Sequence, residues 1–205
     1  MKYDFERELK QFISGKRYNH TLGVERECRA LADIFSLSNA DKERLSVAGY
    51  LHDITKEKTA DEQLELCEKF GIELSDYDRL APKLFHAKTG AALARELYPD
   101  VVDDTVYSCI WWHTTGHPGM TLPEKLVYLA DYIEAGRTFE DCVELRKYFY
   151  RHIEAGDDRD IVLRDTLIIS FDMTMRGLLE DGKLIDENTV ATRNFLLYEK
   201  LKADR

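Results

Sequence analysis

Along nearly the whole chain the apolar residues recur at steps of three and four, and no segment sustains the step of two that marks a half-buried strand. His20, Val24, Cys28, Leu31 and Phe35 advance by four, four, three and four, and Leu45, Ala48 and His52 repeat the habit on the next segment. This pattern predicts an all-α chain with helices over about 3–14, 18–36, 40–54, 60–70, 83–97, 101–113, 122–134, 141–155, 160–180 and 188–202. Two starts carry capping boxes, Thr59 with Glu62 and Thr121 with Glu124: the hydroxyl meets a free amide and the acid three residues on reaches back. Gly15, Gly71 and Gly182 fall where helices are expected to stop. No repeat or linker divides the segments. The polar break at Asp157-Asp158 precedes Ile161, Leu163, Leu167, Ile168 and Phe171, a stripe too apolar to stand alone. One domain over 1–205 is therefore expected, its functional core spanning about 17–137 and the helices of about 141–202 packed on it as an extension.

Composition adds limits on function. At 205 residues, 44% hydrophobic and 33% charged, with only 4 Pro, the chain has globular proportions and can bury one core without disulfide or metal staples. Its charge of −10 (29 basic against 39 acidic residues) repels phosphate polymers and anionic membranes. Nucleic acid is thus an unsuitable partner, and a small anionic ligand requires cations built into its own site. Cys28, Cys67, Cys109 and Cys142 are more than thirty residues apart and show no metal-finger spacing, so they read as reduced core thiols of a cytoplasmic protein. Tyr3-Asp4-Phe5-Glu6-Arg7 lacks the apolar stretch of a secretion signal, and nothing later approaches the roughly 18 uncharged residues of a membrane span. The expectation is a protein neither exported nor embedded.

Ionisable groups on the inward stripes change the picture most. His20 heads one stripe, and His52-Asp53 ends the next helix. Asp131 lies beside Val127 and Ala130; His86 shares a face with Gly90, Leu93 and Leu97, and His113 with Val102, Val106 and Cys109. Neighbouring helical side chains diverge by about 100°, so His52 and Asp53 can close on one ion only if it sits off the helix edge, near the end. A lone buried histidine is usually a hydrogen-bonded core residue, but four of the six histidines and two aspartates on five helices exceed random placement. Imidazoles and carboxylates without thiolates suit Fe, Mn, Co or Ni and argue against a structural zinc site. His117 sits in a loop, Thr114-Thr115-Gly116-His117-Pro118-Gly119, near the presumed site; His152, between Arg151 and Ile153, reads as a surface residue.

The ordered set resembles a known group. His20, then His52-Asp53, then Asp131 on successive helices resembles the HD-domain superfamily of metal-dependent phosphohydrolases. Arg17-Tyr18-Asn19-His20-Thr21, Leu51-His52-Asp53-Ile54-Thr55-Lys56, Phe85-His86-Ala87, Trp112-His113-Thr114-Thr115-Gly116 and Tyr128-Leu129-Ala130-Asp131-Tyr132-Ile133-Glu134 narrow the likeness to the YqeK family, the symmetrical diadenosine tetraphosphate hydrolases of bacteria. The resemblance runs from about residue 5 to 200 and implies an HD-type helical fold holding iron through His20, His52, Asp53 and Asp131, with Mn or Co as substitutes. Two positions depart from the pattern: Ala135 stands where members often carry proline, and His117 where they often carry arginine, a titratable group in place of a permanent cation.

Within that reading Asp53 takes or orients the proton of the attacking water, and Lys56, one turn beyond His52-Asp53, and Arg137, just after the Asp131 helix, hold phosphate. His20, His86, His113 and Thr114 complete the substrate contacts, and His86 and His113 bind phosphate, act as acids or hold a second metal. The activity the resemblance implies is symmetrical cleavage of diadenosine tetraphosphate into two ADP by a metal-activated water, with a small-molecule dinucleoside polyphosphate or ADP-like nucleotide as the ligand. The alternatives are an HD phosphohydrolase acting on a nucleoside diphosphate, a deoxynucleotide or a guanosine alarmone, and a nucleotide sensor without turnover. The 11 Tyr and 9 Phe leave room for a homodimer face or an adenine stack.

Overall fold

The structure, a computed structural model, describes residues 3–203; Met1, Lys2, Asp204 and Arg205, which the expected span 1–205 includes, lie outside the described residues. Among the described residues the chain is helical and contains no strand. The helices are α1 (Phe5–Glu8), α2 (Gly15–Ile34), α3 (Asn39–Leu51), α4 (Ala60–Lys69), α5 (Asp76–Arg79), α6 (Phe85–Leu97), α7 (Asp104–Trp112), α8 (Leu122–Ile133), α9 (Glu140–Glu154), α10 (Arg159–Glu180) and α11 (Glu187–Ala203).

α8 is the axis of the arrangement. Leu126, Val127, Tyr128, Leu129, Ala130 and Ile133 are all fully buried, as a helix apolar on every side must be. α2, α3, α7, α9 and α10 pack against it, and α2 pairs with α3 along much of its length. An ionisable residue on α8 therefore lies at the centre of the molecule. α6 packs on α7, and α11 reaches the rest through α10. Both expected capping boxes form, and a third, Ser75 with Asp78, opens α5.

Several boundaries differ from the sequence reading. The helix expected over 3–14 breaks into α1 and a 3₁₀ turn, Leu9–Gln11, although Phe5, Leu9 and Ile13 keep their inward spacing. Ser14 is then extended and Gly15 has φ +50, so this glycine opens α2 rather than closing the helix before it. α3 ends at Leu51, not at 54, and His52 to Lys58 run in turns. Asp103 caps α7 three residues later than expected, a 3₁₀ turn Pro82–Leu84 precedes α6, and α5 was not anticipated. Leu97 and Ile161, expected inside, are exposed. The four cysteines are free and buried, as expected, and no helix of the described residues is long and apolar enough to cross a membrane.

Candidate metal centre

Five elements deliver ionisable side chains to one point beside α8. His20 projects from the second turn of α2; His52 closes α3, and Asp53 follows in the turn. His86 lies in the first turn of α6, His113 closes α7, and Asp131 occupies the last turn of α8. Ending α3 at Leu51 is what allows His52 and Asp53 to converge, because a continuing helix would hold them about 100° apart.

The imidazoles share one device. Nδ1 donates to the carbonyl three residues back in three of them: His52 to Gly49 (2.8 Å), His86 to Lys83 (2.7 Å) and His113 to Ile110 (2.6 Å). His20 Nδ1 donates to Glu134 Oε1 at 3.0 Å. With the proton fixed on Nδ1, each ring turns its Nε2 lone pair towards the cluster, the tautomer that metal-ligating histidines adopt.

The acids divide the cluster into two halves. Asp53 Oδ2 faces His52 Nε2 (3.4 Å) and His20 Nε2 (3.9 Å), whereas Oδ1 faces His86 Nε2 (3.2 Å) and His113 Nε2 (3.6 Å). Asp131 Oδ1 is 2.9 Å from His20 Nε2 and 4.0 Å from His52 Nε2. Donor atoms of His20, His52 and Asp131 lie within 4.8 Å of one another, as do those of His52, Asp53 and His113.

Three of these atoms, His20 Nε2, His52 Nε2 and Asp53 Oδ1, are buried with no hydrogen bond of good geometry. Orphaned buried polar atoms are costly, and here they converge on one another. The Nε2 atoms of His86 and His113 also face each other at 3.2 Å, two lone pairs that need a proton or cation nearby. The residues therefore fit a metal ion, and the all-nitrogen-and-oxygen donor set suits a divalent transition ion.

Charge is distributed to match. For Asp53 burial works upward, but His52, His113 and His86 hold its carboxyl well below the usual range; for Asp131 burial is likewise outweighed by Arg137 and His20. Burial lowers His52, and lowers His86 to about 4 despite Asp53. At His20 burial is overcome by Asp131 and Glu134, which raise the ring to about 8. Burial also lowers the amine of Lys56, with Asp53 opposing.

Around the cluster sit cations. Lys56 Nζ is 3.0 Å from His86 Nε2 and 3.9 Å from Asp53 Oδ1. Arg137 donates through Nη2 to Asp131 Oδ1 (2.5 Å) and through Nε to the Asp131 carbonyl (2.9 Å), so it holds a candidate ligand as well as facing solvent. Thr114 lines a depression of about 300 Å³ together with His113, Asp131 and Arg137. His117 lies apart, its Nε2 3.2 Å from Glu124 and its ring against Trp112. His152 pairs with Asp157 at the surface.

Two residues escaped the sequence reading. Arg17 Nη1 donates to Asp53 Oδ2 at 2.6 Å; its place three residues before His20, on the same helical face, was the available signal. Glu134, which orients His20, also accepts from the Gly136 amide at 2.5 Å. Its nearness explains Gly23: a Cβ there would stand 2.2 Å from Glu134 Oε2. Nothing in the one-dimensional pattern connects positions 20 and 134.

Comparison with known proteins agrees with this geometry. Residues 17–136, the span containing every member of the cluster, match the HD domain. A Bacillus subtilis protein named symmetrical bis(5'-nucleosyl)-tetraphosphatase is 35% identical over 92% of this chain and 94% of its own length, and a Halalkalibacterium halodurans protein of the same name is 34% identical over 94% and 95%. A crystal structure from Clostridium acetobutylicum, described as a predicted HD superfamily hydrolase involved in NAD metabolism, superposes with a TM-score of 0.81 at 33% identity, covering 95% of this chain and 96% of that one. The chain accordingly belongs to the HD-domain phosphohydrolases, in the family of the bacterial symmetrical bis(5'-nucleosyl)-tetraphosphatases.

Proposed function

We propose that this protein hydrolyses diadenosine tetraphosphate symmetrically, giving two ADP, in the cytoplasm, with iron as the resident metal and Mn or Co as substitutes. The observation that carries the reading is the convergence of four imidazole Nε2 atoms and two carboxylates, ringed by Arg17, Lys56 and Arg137. His20, His52, Asp53 and Asp131 would hold the ion. When bound, it supplies Lewis-acid activation of water and of a phosphoryl oxygen.

The remaining work falls to the chain. A phosphoanhydride offers no acyl or sugar centre, so catalysis consists of aligning a water with the bond to be broken and neutralising charge. Asp53 Oδ1, ionised and without a hydrogen bond, is placed to accept the proton of the attacking water. Lys56, Arg137 and Arg17 meet the requirement set by the net charge of −10, presenting local cations to the phosphates in an otherwise repulsive molecule. His20, His86 and His113 would contact the phosphates from inside the cluster, and Thr114, which lines the depression beside His113, from its rim. His86 and His113, whose Nε2 atoms face Asp53 Oδ1, are the candidates to hold a second ion.

Elemental analysis of gently purified protein, paired with a time course on diadenosine tetraphosphate before and after chelation, tests the reading. Stoichiometric iron and activity lost on chelation and restored by iron, manganese or cobalt are the expected results. Absence of stoichiometric metal with activity untouched by chelator would overturn the metal role. Turnover only of another nucleotide would move the enzyme to a different HD activity, and tight nucleotide binding without turnover would make it a sensor.

A further inference from the structure

Beyond the metal centre the chain holds a cleft of about 540 Å³, within the range of small-molecule sites, between residues 80–84 and the bend joining α10 to α11. Leucines dominate its walls: Leu80 and Leu84 on one side, Leu178 and Leu184 on the other. Leu80 is 73% exposed and Leu184 40% exposed, an unusual arrangement for facing apolar side chains with nothing between them. The walls are tied together, since Tyr77 Oη donates to the Ile185 carbonyl at 2.9 Å.

The cleft adjoins the candidate metal site on two sides. Thr114 lines both it and the depression holding His113, Asp131 and Arg137. Pro82 and Lys83 line both it and the depression holding Lys56 and His86. A ligand whose phosphates lie at the cluster thus has an apolar slot beside it, and Asp186, whose Oδ1 accepts from the Asn188 amide, leaves its second carboxylate oxygen at the wall. Phosphate alone has no use for four leucines, whereas a purine ring presents two apolar faces and a polar edge.

We propose that this cleft seats one nucleoside of the substrate, so that the C-terminal helices outside the HD-matched span serve nucleoside recognition. The inference rests on the function proposed above and extends it from phosphate chemistry to the group that phosphate chemistry cannot read.

The test uses the metal-loaded full chain and two probes, ADP and inorganic pyrophosphate, titrated calorimetrically into the wild type, Leu80→Ser, Leu184→Ser and Leu179→Ser. All three leucines are exposed, so the fold survives, and Leu179 is outside the cleft and serves as the control. Loss of apolar contact in Leu80→Ser and Leu184→Ser should weaken ADP about tenfold. Pyrophosphate should bind them as it binds the wild type, and Leu179→Ser should bind both probes normally. Unchanged ADP affinity in both cleft variants, or equal weakening of ADP and pyrophosphate, would overturn the assignment. Should the wild type fail to cleave diadenosine tetraphosphate, the proposed function falls, while the ADP titration still decides the cleft.

Discussion

Replacing Glu134 by glutamine probes how His20 is held, from a position 114 residues away in sequence. In the wild type the carboxylate accepts twice, from His20 Nδ1 at 3.0 Å and from the Gly136 amide at 2.5 Å, and it is only 2% exposed. An amide offers one accepting oxygen and one donating nitrogen. Whichever way the glutamine turns, one N–H meets another N–H in a place water cannot reach, at a cost of about 1–3 kcal/mol. Gly23 leaves no slack, since the backbone of α2 already abuts Glu134 Oε2. If the amide satisfies Gly136, His20 loses its acceptor and its fixed tautomer, and metal affinity should drop by about 10- to 100-fold, or about 1.4–2.8 kcal/mol. If it satisfies His20 instead, the loss appears as lowered stability of the metal-free protein. Competition with a chromogenic chelator reads the first outcome and thermal unfolding of the metal-free chain reads the second. Wild-type values in both assays would refute the claim that Glu134 orients His20.

Asp53→Asn should abolish most activity while leaving the unfolding temperature near that of the wild type, because the amide is a poor anionic ligand and a poor proton acceptor; turnover at the wild-type rate with metal bound would remove Asp53 from its role. Lys56→Ala should weaken phosphate contacts by about 1.5–3 kcal/mol, read as a lower kcat/KM with the metal content unchanged. Arg17→Ala and Arg137→Ala should differ from it by also lowering metal affinity, since Arg17 anchors Asp53 and Arg137 anchors Asp131. Glu124→Gln should destabilise the protein by about 1–2 kcal/mol at pH 7. Burial pushes the Glu124 carboxyl up, but Ser108, the Thr121 amide and hydroxyl and His117 hold it below its ordinary 4.5, so its stabilisation is present above that pH and lost as pH falls through the folded pKa. Unfolding curves of the two proteins should therefore converge in acid.

The sequence pattern was most informative where a residue's neighbours lie within one helix. The stripe from His20 to Phe35, the capping boxes at Thr59 and Thr121, and the near-continuous apolar run of α8 are local, and their helices appear within a few residues of the expected places. The helical fold and the HD-family match agree with the resemblance drawn from the ordered motifs. The limits lie where geometry is long-range or the element is short. α5 has four residues and no periodicity, and its cap is visible only once the turn is known. The break at Leu51 was missed because His52 continues the inward stripe of Leu45 and Ala48; it is the tertiary convergence of His52 and Asp53 that the turn serves. The Arg17–Asp53 contact spans two helices, the His20–Glu134 contact joins residues 114 positions apart, and Arg137 curls back onto the carboxylate it follows. None of these can be read from spacing alone.

The central claim is symmetrical cleavage at the proposed metal site, where Lys56, Arg137 and Arg17 face the phosphates. Hydrolysis of diadenosine tetraphosphate in isotopically labelled water, with products resolved at early times and weighed by mass spectrometry, tests it most directly. ADP as the sole initial nucleotide, with one solvent oxygen on the terminal phosphate of half the molecules formed, is the predicted result. AMP and ATP as the first products would contradict it, even if every proposed ligand proved to hold the metal.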